Sequence, residues 1–349
     1  MSSMNYPDVS ILLPIRNEQT YIADCLRAIF RQDYPHEKME ILIADGNSTD
    51  ETLSIINRLS AESSIPISVL NNPHRIVPTG LNILIPLAKG EAIIRVDGHT
   101  VLSTDYIRQC VMALEETCVE NVGGRMNAIG TTTFGRAVAE ATSHPFGIGD
   151  SKFHYSDKLE EVDSVYMGAW PRRVFEKTGL FDEELVRNQD DEFNYRIRKS
   201  GGKILLCPLI KSLYTVRSTP AALWKQYFQY GYWKVRVLQK HPRQMSLRQF
   251  VPPVFVLSII LSMLMTPVFS WGWIPLVIIL GLYLIVNLGV SISIAAKRGW
   301  KYLVSLPAAF SIIHISYGLG FVVGLLKFAN RWHDKTGLVP QNQPGEPTN

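Results

Sequence analysis

Apolar and polar positions alternate along the first 220 residues in a pattern that predicts strands and helices in turn. Short apolar runs rich in β-branched residues predict four strands, at residues 9–14, 39–44, 65–70 and 92–96. Segments with apolar residues at helical spacing predict helices at residues 20–32, 48–59, 78–89, 171–178 and 190–200. Such alternation is typical of an α/β domain with a mainly parallel, Rossmann-like sheet that helices cover on both faces.

The sequence also predicts where two of the helices begin or end, and it contains one stretch without a clear pattern. Thr20 is predicted to cap the first helix, and Gly201-Gly202 to end the last one. Between Gly123 and Gly168 the pattern weakens, and glycine and threonine become frequent. We interpret this stretch as loops on the substrate-facing half of the same domain, which we place at residues 1–220.

The chain from residue 251 to 327 is almost entirely apolar or small. A helix needs roughly 20 apolar residues to cross a bilayer, and three stretches approach that length, at residues 253–269, 273–296 and 303–326. Residues 221–250 mix aromatic and basic side chains, which is typical of an amphipathic segment in the headgroup layer. The sequence therefore predicts an α-helical transmembrane region, followed by a polar tail at residues 328–349.

Basic residues beside these stretches predict their orientation. Lys297, Arg298 and Lys301 separate the second stretch from the third and would be cytoplasmic under the positive-inside rule. Because residues 1–9 contain no apolar secretory signal, the α/β domain is expected in the cytoplasm as well. Three crossings, however, would place Lys327, Arg331 and Lys335 outside, whereas a third stretch that enters the bilayer and returns would not. Both topologies stay open.

Composition adds two exclusions. The formal net charge of +4 is too small to indicate binding of nucleic acid. The four cysteines lie far apart, without the spacing of metal ligands, so we interpret them as reduced packing residues.

Carboxylates follow three of the predicted elements. Asp45 ends the second strand, Asp97 follows the fourth, and Asp190-Asp191 open a later helix. The carboxyl ends of strands in an open α/β sheet face one crevice, so these side chains are expected to meet at one ligand. The sequence therefore predicts a shared binding site for a ligand that carboxylates recognise.

Two motifs at these strand ends resemble those of family 2 glycosyltransferases, inverting nucleotide-sugar enzymes with a GT-A fold. Pro14 to Glu18 is similar to their P-x-x-N-E motif, and Asp45 to Asp50 to their D-D-G-S-T-D motif, with Gly46 in place of the second aspartate. The resemblance implies that Asp45 binds the pyrimidine base. It also implies nucleotide-binding positions at Pro14, Arg16, Asn17, Glu18, Asp45, Arg75 and Asp97.

Asp97-Gly98-His99 stands where this family has a D-x-D motif. The resemblance implies that Asp97 faces the ribose and that Asp97 and His99 hold a divalent metal, Mn²⁺ or Mg²⁺. Such a metal neutralises the charge of a leaving nucleotide diphosphate. Imidazole is a softer ligand than carboxylate, which favours Mn²⁺ over Mg²⁺.

The helix at residues 190–200 is similar to the E-D-x-x-L-x-x-R helix of the family, with Arg196 on its arginine. This alignment implies that Asp190 is the general base, with Asp191 as the alternative. An acceptor hydroxyl must lose a proton as it attacks the anomeric carbon, so the reaction needs such a base. Like charges crowded at this helix start would raise the pKa of Asp190 toward a useful value.

Two further stretches resemble acceptor-side motifs. The segment from Gly168 to Phe175 is similar to a family stretch beside the acceptor and the diphosphate, and Gln226 to Tyr230 is similar to the Q-x-x-R-W motif of processive members. Two departures from Q-x-x-R-W argue against processive polymerisation. The implied acceptor or diphosphate contacts are Trp170, Arg172, Arg173, Gln226, Gln229 and Tyr230.

The whole pattern is similar to the ExoA-type, succinoglycan-synthesis group of this family. Members add a sugar, typically glucose from UDP-glucose, to a polyprenyl-diphosphate saccharide at the inner membrane. Our leading hypothesis is therefore a multi-pass inner-membrane glycosyltransferase with a nucleotide-sugar donor, a lipid-linked acceptor and a cytoplasmic catalytic domain. One alternative is a sugar nucleotidyltransferase, although the chain has no glycine-rich, lysine-bearing loop after its first strand. The other is a nucleotide-binding membrane scaffold with a degenerate site.

Overall fold

The computed structural model describes residues 6–334 and divides them into two compact units. The first unit contains the chain up to Asn127 and the segment Tyr155–Tyr214. The second contains Ala128–His154 together with the chain from Thr215 onward. The predicted catalytic region, residues 1–220, is therefore interrupted, because residues 128–154 group with the C-terminal helices. Most of the predicted polar tail, and Lys335, lie outside the described residues.

Nine strands in the described chain form one sheet with the order β3-β2-β1-β4-β8-β6-β9-β5, and β7 pairs with β9. Their bounds are β1 Val9–Ile15, β2 Met39–Asp45, β3 Ile67–Asn71, β4 Ala92–Arg95, β5 Thr100–Leu102, β6 Asn121–Ile129, β7 Glu160–Glu161, β8 Tyr166–Pro171 and β9 Ile204–Thr215.

The first four strands are parallel, and the later ones join the sheet antiparallel. β1 pairs parallel with β2 and β4, and β2 pairs parallel with β3. β8 pairs antiparallel with both β4 and β6. The predicted α/β fold is confirmed, with its parallel half built from the strand and helix alternation in the sequence.

Twelve α-helices lie in the described chain. They are α1 Ile22–Phe30, α2 Thr52–Ser60, α3 Val77–Leu84, α4 Tyr106–Thr117, α5 Thr133–Thr142, α6 Pro145–Ile148, α7 Arg173–Thr178, α8 Gln189–Lys199, α9 Pro220–Lys240, α10 Val251–Met265, α11 Trp273–Arg298 and α12 Ser305–Lys327. The prediction for Thr20 is wrong, since Tyr21 precedes α1 and no side chain caps it. Gly201 follows α8 with φ of +84°, a conformation that suits glycine, as predicted.

The predicted loops between Gly123 and Gly168 are wrong in part, because β6 and α5 lie there. The glycines of β6 mark close approach of neighbouring strands. A Cβ on Gly123 would lie 2.6 Å from Cβ of Val165, and one on Gly124 would overlap the carbonyl of Ile210. Glycine in a strand often has this role, so its frequency did not indicate a loop. Thr132 caps α5 by accepting a hydrogen bond from the backbone N–H of Gly135 at 2.9 Å.

The core of the first unit lies between β1, β2 and β4 on one side and helices α1 and α4 on the other. Ile11, Leu13, Ile41 and Ile94 are fully buried in it. These strands have apolar side chains at nearly every position because helices cover both faces of the sheet. The core therefore holds rigid the strand ends from which the predicted site residues extend.

In the second unit, α9 packs against α12 through glycines. A Cβ on Gly231 would lie 2.0 Å from the carbonyl oxygen of Tyr317, and one on Gly320 would lie 2.0 Å from that of Phe228. Small residues let two helix backbones approach closely, as they do in membrane proteins. The two helices therefore form a pair whose contact depends on the absence of side chains.

The predicted amphipathic segment at residues 221–250 is mostly α9, and part of its basic content is buried. Lys234, Arg236 and Lys240 are at most 6% exposed. Arg236 donates hydrogen bonds to the backbone carbonyls of Arg331 and Asp334, both at 3.2 Å. These three residues thus do not form the exposed polar face that the sequence pattern indicated. The placement of α9 in a headgroup layer stays a prediction.

Three helices in the described chain are long and apolar enough to cross a membrane: Leu247–Met265, Trp273–Arg298 and Ser305–Lys327. They coincide with the predicted stretches to within a few residues.

The glycine contact between α9 and α12 gives a stability prediction. Gly320→Ala should lower the free energy of unfolding by about 1–3 kcal/mol, because the new methyl group overlaps a backbone carbonyl that has no room to move. Gly281→Ala is the matched control, since no atom lies within 4 Å of a Cβ there and alanine favours a helix. Thermal unfolding of both variants in detergent measures the difference, and equal stability of the two would contradict the packing described.

Candidate active site

Two of the predicted carboxylates flank the end of the central strand β1. Asp45 ends β2 and pairs with Ile15. On the other side, the backbone N–H of Val96 donates to the carbonyl of Leu12 at 2.9 Å, and Asp97 follows directly. Neighbouring strands lie about 4.8 Å apart, so Asp45 and Asp97 are separated by two such spacings. The fold therefore brings both carboxylates to one edge of the sheet, as predicted.

Hydrogen bonds join the loop after β1 to the loop after β2. Asn17 donates its backbone N–H to Ser48 Oγ at 2.9 Å, and its side-chain Oδ1 accepts from Thr49 N at 2.8 Å. Next along the chain, Glu18 N donates to Thr52 Oγ1 at 2.8 Å. The P-x-x-N-E segment thus fixes the shape of the second motif before any ligand binds.

A pocket of about 470 Å³ opens beside Asp45. The Asp45 carboxylate accepts hydrogen bonds from Ser48 N at 3.0 Å and Ser48 Oγ at 2.5 Å, and a carboxylate retains further lone pairs for a ligand donor. The pocket is lined by Asp45, Asn47, Ser48, Thr49, Leu53, Val69, Leu70, Asn71 and Arg75. Two of the predicted nucleotide-binding residues, Asp45 and Arg75, therefore share one cavity.

Two further predicted nucleotide positions lie near this pocket without lining it. Pro14 is buried within β1, opposite Ala44. Arg16 packs against Gly46, where a Cβ would lie 3.1 Å from Cβ of Arg16 and 3.2 Å from Cα of Arg75. A residue with a side chain would need one of these neighbours to shift, so glycine suits the position that the family fills with aspartate.

Unfavourable backbone conformations gather in the segments that carry or contact the site. Among residues 6–334, six residues other than glycine have φ in the left-handed region. Five of them lie in such segments: Asn17, Asn47, Arg75, Met167 and Asn188. Each such residue costs on the order of 1–3 kcal/mol and persists only where its surroundings impose it. These conformations therefore lie mostly in the segments around the candidate site.

Arg95 links the second and third carboxylate positions. Its guanidinium is buried and donates from Nε to Asp97 Oδ1 at 2.8 Å. Burial alone would lower the pKa of Arg95, but the negative charges of Asp97 and Asp190 outweigh burial and raise it. Sequence reasoning missed this residue, although a charged side chain within an otherwise apolar strand was the available signal.

Asp190 lies in the first turn of α8, where the predicted general base belongs. Burial is the main reason that the pKa of Asp190 is raised above its usual range; the nearby Asp191 and Asp97 raise it further, while Arg95 opposes the shift. Asp190 Oδ1 accepts from the backbone N–H of Asp191 at 2.9 Å. A carboxylate with a raised pKa is suited to accept a proton near neutral pH.

Polar contacts hold α8 in place behind this carboxylate. Arg196 donates from Nε to Glu192 at 2.7 Å and from its terminal nitrogens to the carbonyls of Thr178 and Leu180 at 2.6 Å. The arginine of the predicted E-D-x-x-L-x-x-R motif thus anchors the helix to the preceding loop.

Glu18 and His99 form a carboxylate–imidazole pair. His99 Nδ1 lies 3.0 Å from Glu18 Oε1. An ionised carboxylate only accepts hydrogen bonds, so Nδ1 carries the proton and Nε2 presents a lone pair. This arrangement is common for histidines that bind metals. The predicted nucleotide contact at Glu18 stays a prediction, and its buried carboxylate faces His99.

The metal-ligand atoms near the D-x-D position fit a metal ion whose coordination the substrate completes. His99 offers Nε2, and Asp97 offers Oδ2, since its other oxygen, Oδ1, accepts from Arg95. The described residues contain no group of three or more histidine, cysteine or acidic residues that would hold an ion alone. Metals that bind nucleotides are often held by one or two protein ligands plus phosphates and water, so two donors are sufficient.

The structure does not support two of the predicted acceptor contacts. Trp170 is 3% exposed and packs among Phe175, Phe181 and Phe193. Arg172 donates from Nε to the carbonyl of Gly90 at 3.0 Å, next to the start of β4. Because β8 runs antiparallel to β4, this arginine lies at the edge opposite Asp97. The resemblance in this stretch reflects packing and strand order.

The other acceptor predictions stay predictions. Arg173 is exposed at the start of α7 and follows Arg172 directly. On α9, in the second unit, Gln226 Nε2 donates to Tyr230 Oη at 3.2 Å, and Gln229 lies between them.

The mostly parallel sheet, with its later strands added antiparallel, is that of a GT-A fold. Residues 10–179 match the family described as "Glycosyl transferase family 2". The protein is a glycosyltransferase, and residues 10–179 of its catalytic region are similar to family 2.

Two curated relatives match nearly the whole chain. The dolichyl N-acetyl-alpha-D-glucosaminyl phosphate 3-beta-D-2,3-diacetamido-2,3-dideoxy-beta-D-glucuronosyltransferase of Methanococcus voltae is 29% identical and covers 93% of this chain and 98% of its own. The succinoglycan biosynthesis protein ExoA of Rhizobium meliloti is 28% identical and covers 92% and 96%. Among solved structures, the mannosyltransferase PcManGT of Pyrobaculum calidifontis, in complex with GDP-Man and Mn²⁺, superimposes with a TM-score of 0.58 over 91% of this chain and 88% of its own, at 17% identity. This last similarity supports the GT-A fold.

The Glu18–His99 pair gives a metal-binding prediction. Glu18→Gln should weaken Mn²⁺ binding in the presence of UDP by about 10–100-fold, because an amide can donate to Nδ1 as well as accept from it and so no longer fixes the tautomer with its lone pair outward. Electron paramagnetic resonance of free Mn²⁺ measures this without any turnover. Glu37→Gln, on an exposed carboxylate, is the matched control and should bind Mn²⁺ like the parent protein. Equal affinity of the Glu18 variant would show that His99 is not a ligand.

The charges around Asp190 give a pH prediction. The rate should rise with pH as Asp190 loses its proton, with an acid limb above the usual range of aspartate. Asp191→Asn removes a negative charge that raises the pKa of Asp190, so it should move this limb to lower pH. The dependence of kcat/KM on pH measures the shift. A limb that moves to higher pH, or loss of all activity, would show that Asp191 has another role.

Proposed function

We propose that the protein transfers a sugar from a nucleotide-sugar donor, a UDP-hexose such as UDP-glucose, to a lipid-linked saccharide with inversion. The observation that carries this proposal is the electrostatic linkage of Asp97 and Asp190 through the buried Arg95. Arg95 thus connects Asp97, at the proposed nucleotide position, with Asp190, whose carboxylate is suited to take a proton. The names of both full-length relatives refer to lipid-linked sugar transfer or polysaccharide synthesis, which supports the same conclusion.

The donor would be held at the ends of β2 and β4. Asp45 would accept a hydrogen bond from the base in the pocket it shares with Arg75, and Asp97 would face the ribose. His99 and Asp97 would hold a divalent metal, Mn²⁺ or Mg²⁺, which neutralises the charge on the leaving diphosphate when bound. The solved mannosyltransferase contains Mn²⁺, which supports a metal of this kind.

The chemical step needs only one proton acceptor from the protein. Asp190 takes the proton of the acceptor hydroxyl while that oxygen bonds to the anomeric carbon and the bond to the diphosphate breaks. A single displacement of this kind inverts the configuration. Arg95 keeps Asp97 in position and limits the rise in the pKa of Asp190, so the base stays ionised often enough to act.

The acceptor and the location follow from the second unit. Its apolar helices are suited to a bilayer, which would place the protein as a multi-pass protein of the inner membrane with a cytoplasmic catalytic unit. A polyprenyl diphosphate or related lipid would then carry the acceptor saccharide to the same membrane. A scaffold without activity is less well supported, because the raised pKa of Asp190 and the paired His99 are features of a working site.

Replacement of Asp190 tests the proposed function. Asp190→Asn should lower transfer by at least about 10²-fold, because the amide accepts no proton, while affinity for UDP stays nearly unchanged. Membranes that contain the protein are incubated with radiolabelled UDP-glucose and, in parallel, with other UDP- and GDP-sugars, and the label in extracted lipid is counted. Asp24→Asn, on an exposed side chain of α1, is the control that should keep full activity. A large loss of UDP affinity would place Asp190 in the nucleotide site instead.

A further inference from the structure

Asn82, in the last turn of α3, contacts the loop between α7 and α8, 99 residues further along the chain. Its Oδ1 accepts from the backbone N–H of Phe181 at 2.9 Å, and its Nδ2 donates to the carbonyl of the same residue at 2.8 Å. Nδ2 also donates to Glu183 Oε1 at 2.9 Å. Because a backbone N–H only donates and a carbonyl only accepts, these contacts fix the orientation of the amide. Both amide hydrogens of Asn82 are used, so the side chain is held in one position.

The ring of Phe181 connects this contact to α8. Phe181 is 4% exposed, and its ring centroid lies 4.4 Å from that of Phe193. Phe193 is fully buried and lies three residues after Asp190, about one helical turn along α8. Residues three apart lie on the same side of a helix. Phe181 therefore supports the turn of α8 that carries the proposed base.

The same loop is also joined to the later turns of α8. The carbonyls that accept from Arg196, those of Thr178 and Leu180, come shortly before Phe181 in the chain. Arg196 thus attaches the helix to the loop, whereas Asn82 attaches the loop to α3. Without Asn82, the loop and α8 would remain joined to each other but would lose this connection to α3.

α3 in turn is attached to the strand that ends at the nucleotide pocket. The backbone N–H of Asn72 donates to the carbonyl of Asp45 at 2.8 Å. The Asn72 side chain donates to the carbonyl of Ile76 at 2.8 Å and accepts from Thr79 Oγ1 at 2.9 Å, in the first turn of α3. Arg75, which lines the pocket, lies within this bonded segment. The start of α3 is therefore fixed relative to Asp45.

Close packing adds to these hydrogen bonds. A Cβ on Gly80, in α3, would lie 3.2 Å from Cβ of Ala44 and 3.3 Å from Cβ of Pro14. Both distances are shorter than ordinary van der Waals contact, so the helix lies directly against β1 and β2. A helix packed this closely transmits the position of the strand ends to the residues in its last turn, among them Asn82.

We propose that Asn82 is a positioning residue for sugar transfer, which fixes the distance between Asp190 and the nucleotide pocket by holding the loop before α8 against α3. The inference rests on the proposed function, because it takes Asp190 as the base. Displacement at the anomeric carbon needs the acceptor hydroxyl, its base and the donor in one geometry, and a misplacement of about 1 Å can cost roughly 10²-fold in rate. Asn82 itself contacts neither substrate and acts only through Phe181 and α8.

Replacement of Asn82 tests this role. Asn82→Ala removes all three hydrogen bonds and should lower kcat per UDP-binding site by about 10–100-fold, while KM for the donor and the affinity for UDP stay nearly unchanged. Binding of radiolabelled UDP counts the sites, so an unfolded fraction does not appear as a lower rate. Asn57→Ala, the same change at an exposed position of α2, is the matched control and should keep the parent rate. An unchanged rate per site, or a large loss of UDP affinity, would overturn the proposal.

Hydrogen exchange tests the contact without turnover. In the purified full chain with UDP, Asn82→Ala should speed exchange of the backbone amides of residues 181–193 and leave β1 and β2 unchanged. Unchanged exchange in residues 181–193 would overturn the proposal, and so would faster exchange with the parent rate per site, because Asn82 would then support the loop without positioning the base. A parent protein that transfers no sugar would contradict the proposed function instead, and the exchange result would still decide whether Asn82 holds the loop.

Discussion

The catalytic arrangement depends on one buried cation. Arg95 lies inside the sheet, and a guanidinium there is tolerated only because carboxylates pair with it; removing one partner of such a pair costs roughly 3–5 kcal/mol. Its contact with Asp97 fixes a side chain of the nucleotide site, and its charge acts on Asp190 from a part of the chain far away in sequence. The same interaction thus stabilises the fold locally and limits the rise in the pKa of the proposed base. In the proposed function, one side chain therefore acts on both the donor and the acceptor chemistry.

The sequence predicted the parallel half of the sheet because there each strand alternates with a helix and has an apolar run of its own. It predicted Asp45, Asp97 and Asp190 at one edge because strand ends in such sheets converge. It did not predict β6 or α5. In β6, Gly123 and Gly124 allow close strand packing, and the sequence alone does not distinguish such glycines from glycines in loops. Arg95 and the Glu18–His99 pair were missed for a related reason: a partner across the fold leaves no periodic signal.

Motif resemblance was informative where a residue's role depends on backbone position and weaker where it depends on the direction of a side chain. Asp45 ends β2 and Asp190 lies in the first turn of α8, and the roles that the alignment implies for them stay predictions. Trp170 and Arg172 align equally well but face an aromatic cluster and a strand start. In the second unit, hydropathy found three apolar helices, yet it gave no sign that α9 packs against α12 through glycines.

The joined loops at Asn17 and Ser48 have a consequence for inhibitors. Hydrogen bonds within the protein already order both loops, and Asn17 and Asn47 hold left-handed conformations there. Because the cavity is preformed, flexibility in a ligand adds little to its affinity. Stiff nucleoside mimics, with few rotatable bonds and a donor aimed at Asp45, should therefore lose less entropy on binding than flexible ones of equal size. The rigidity of this cavity makes shape a better guide to potency than molecular weight.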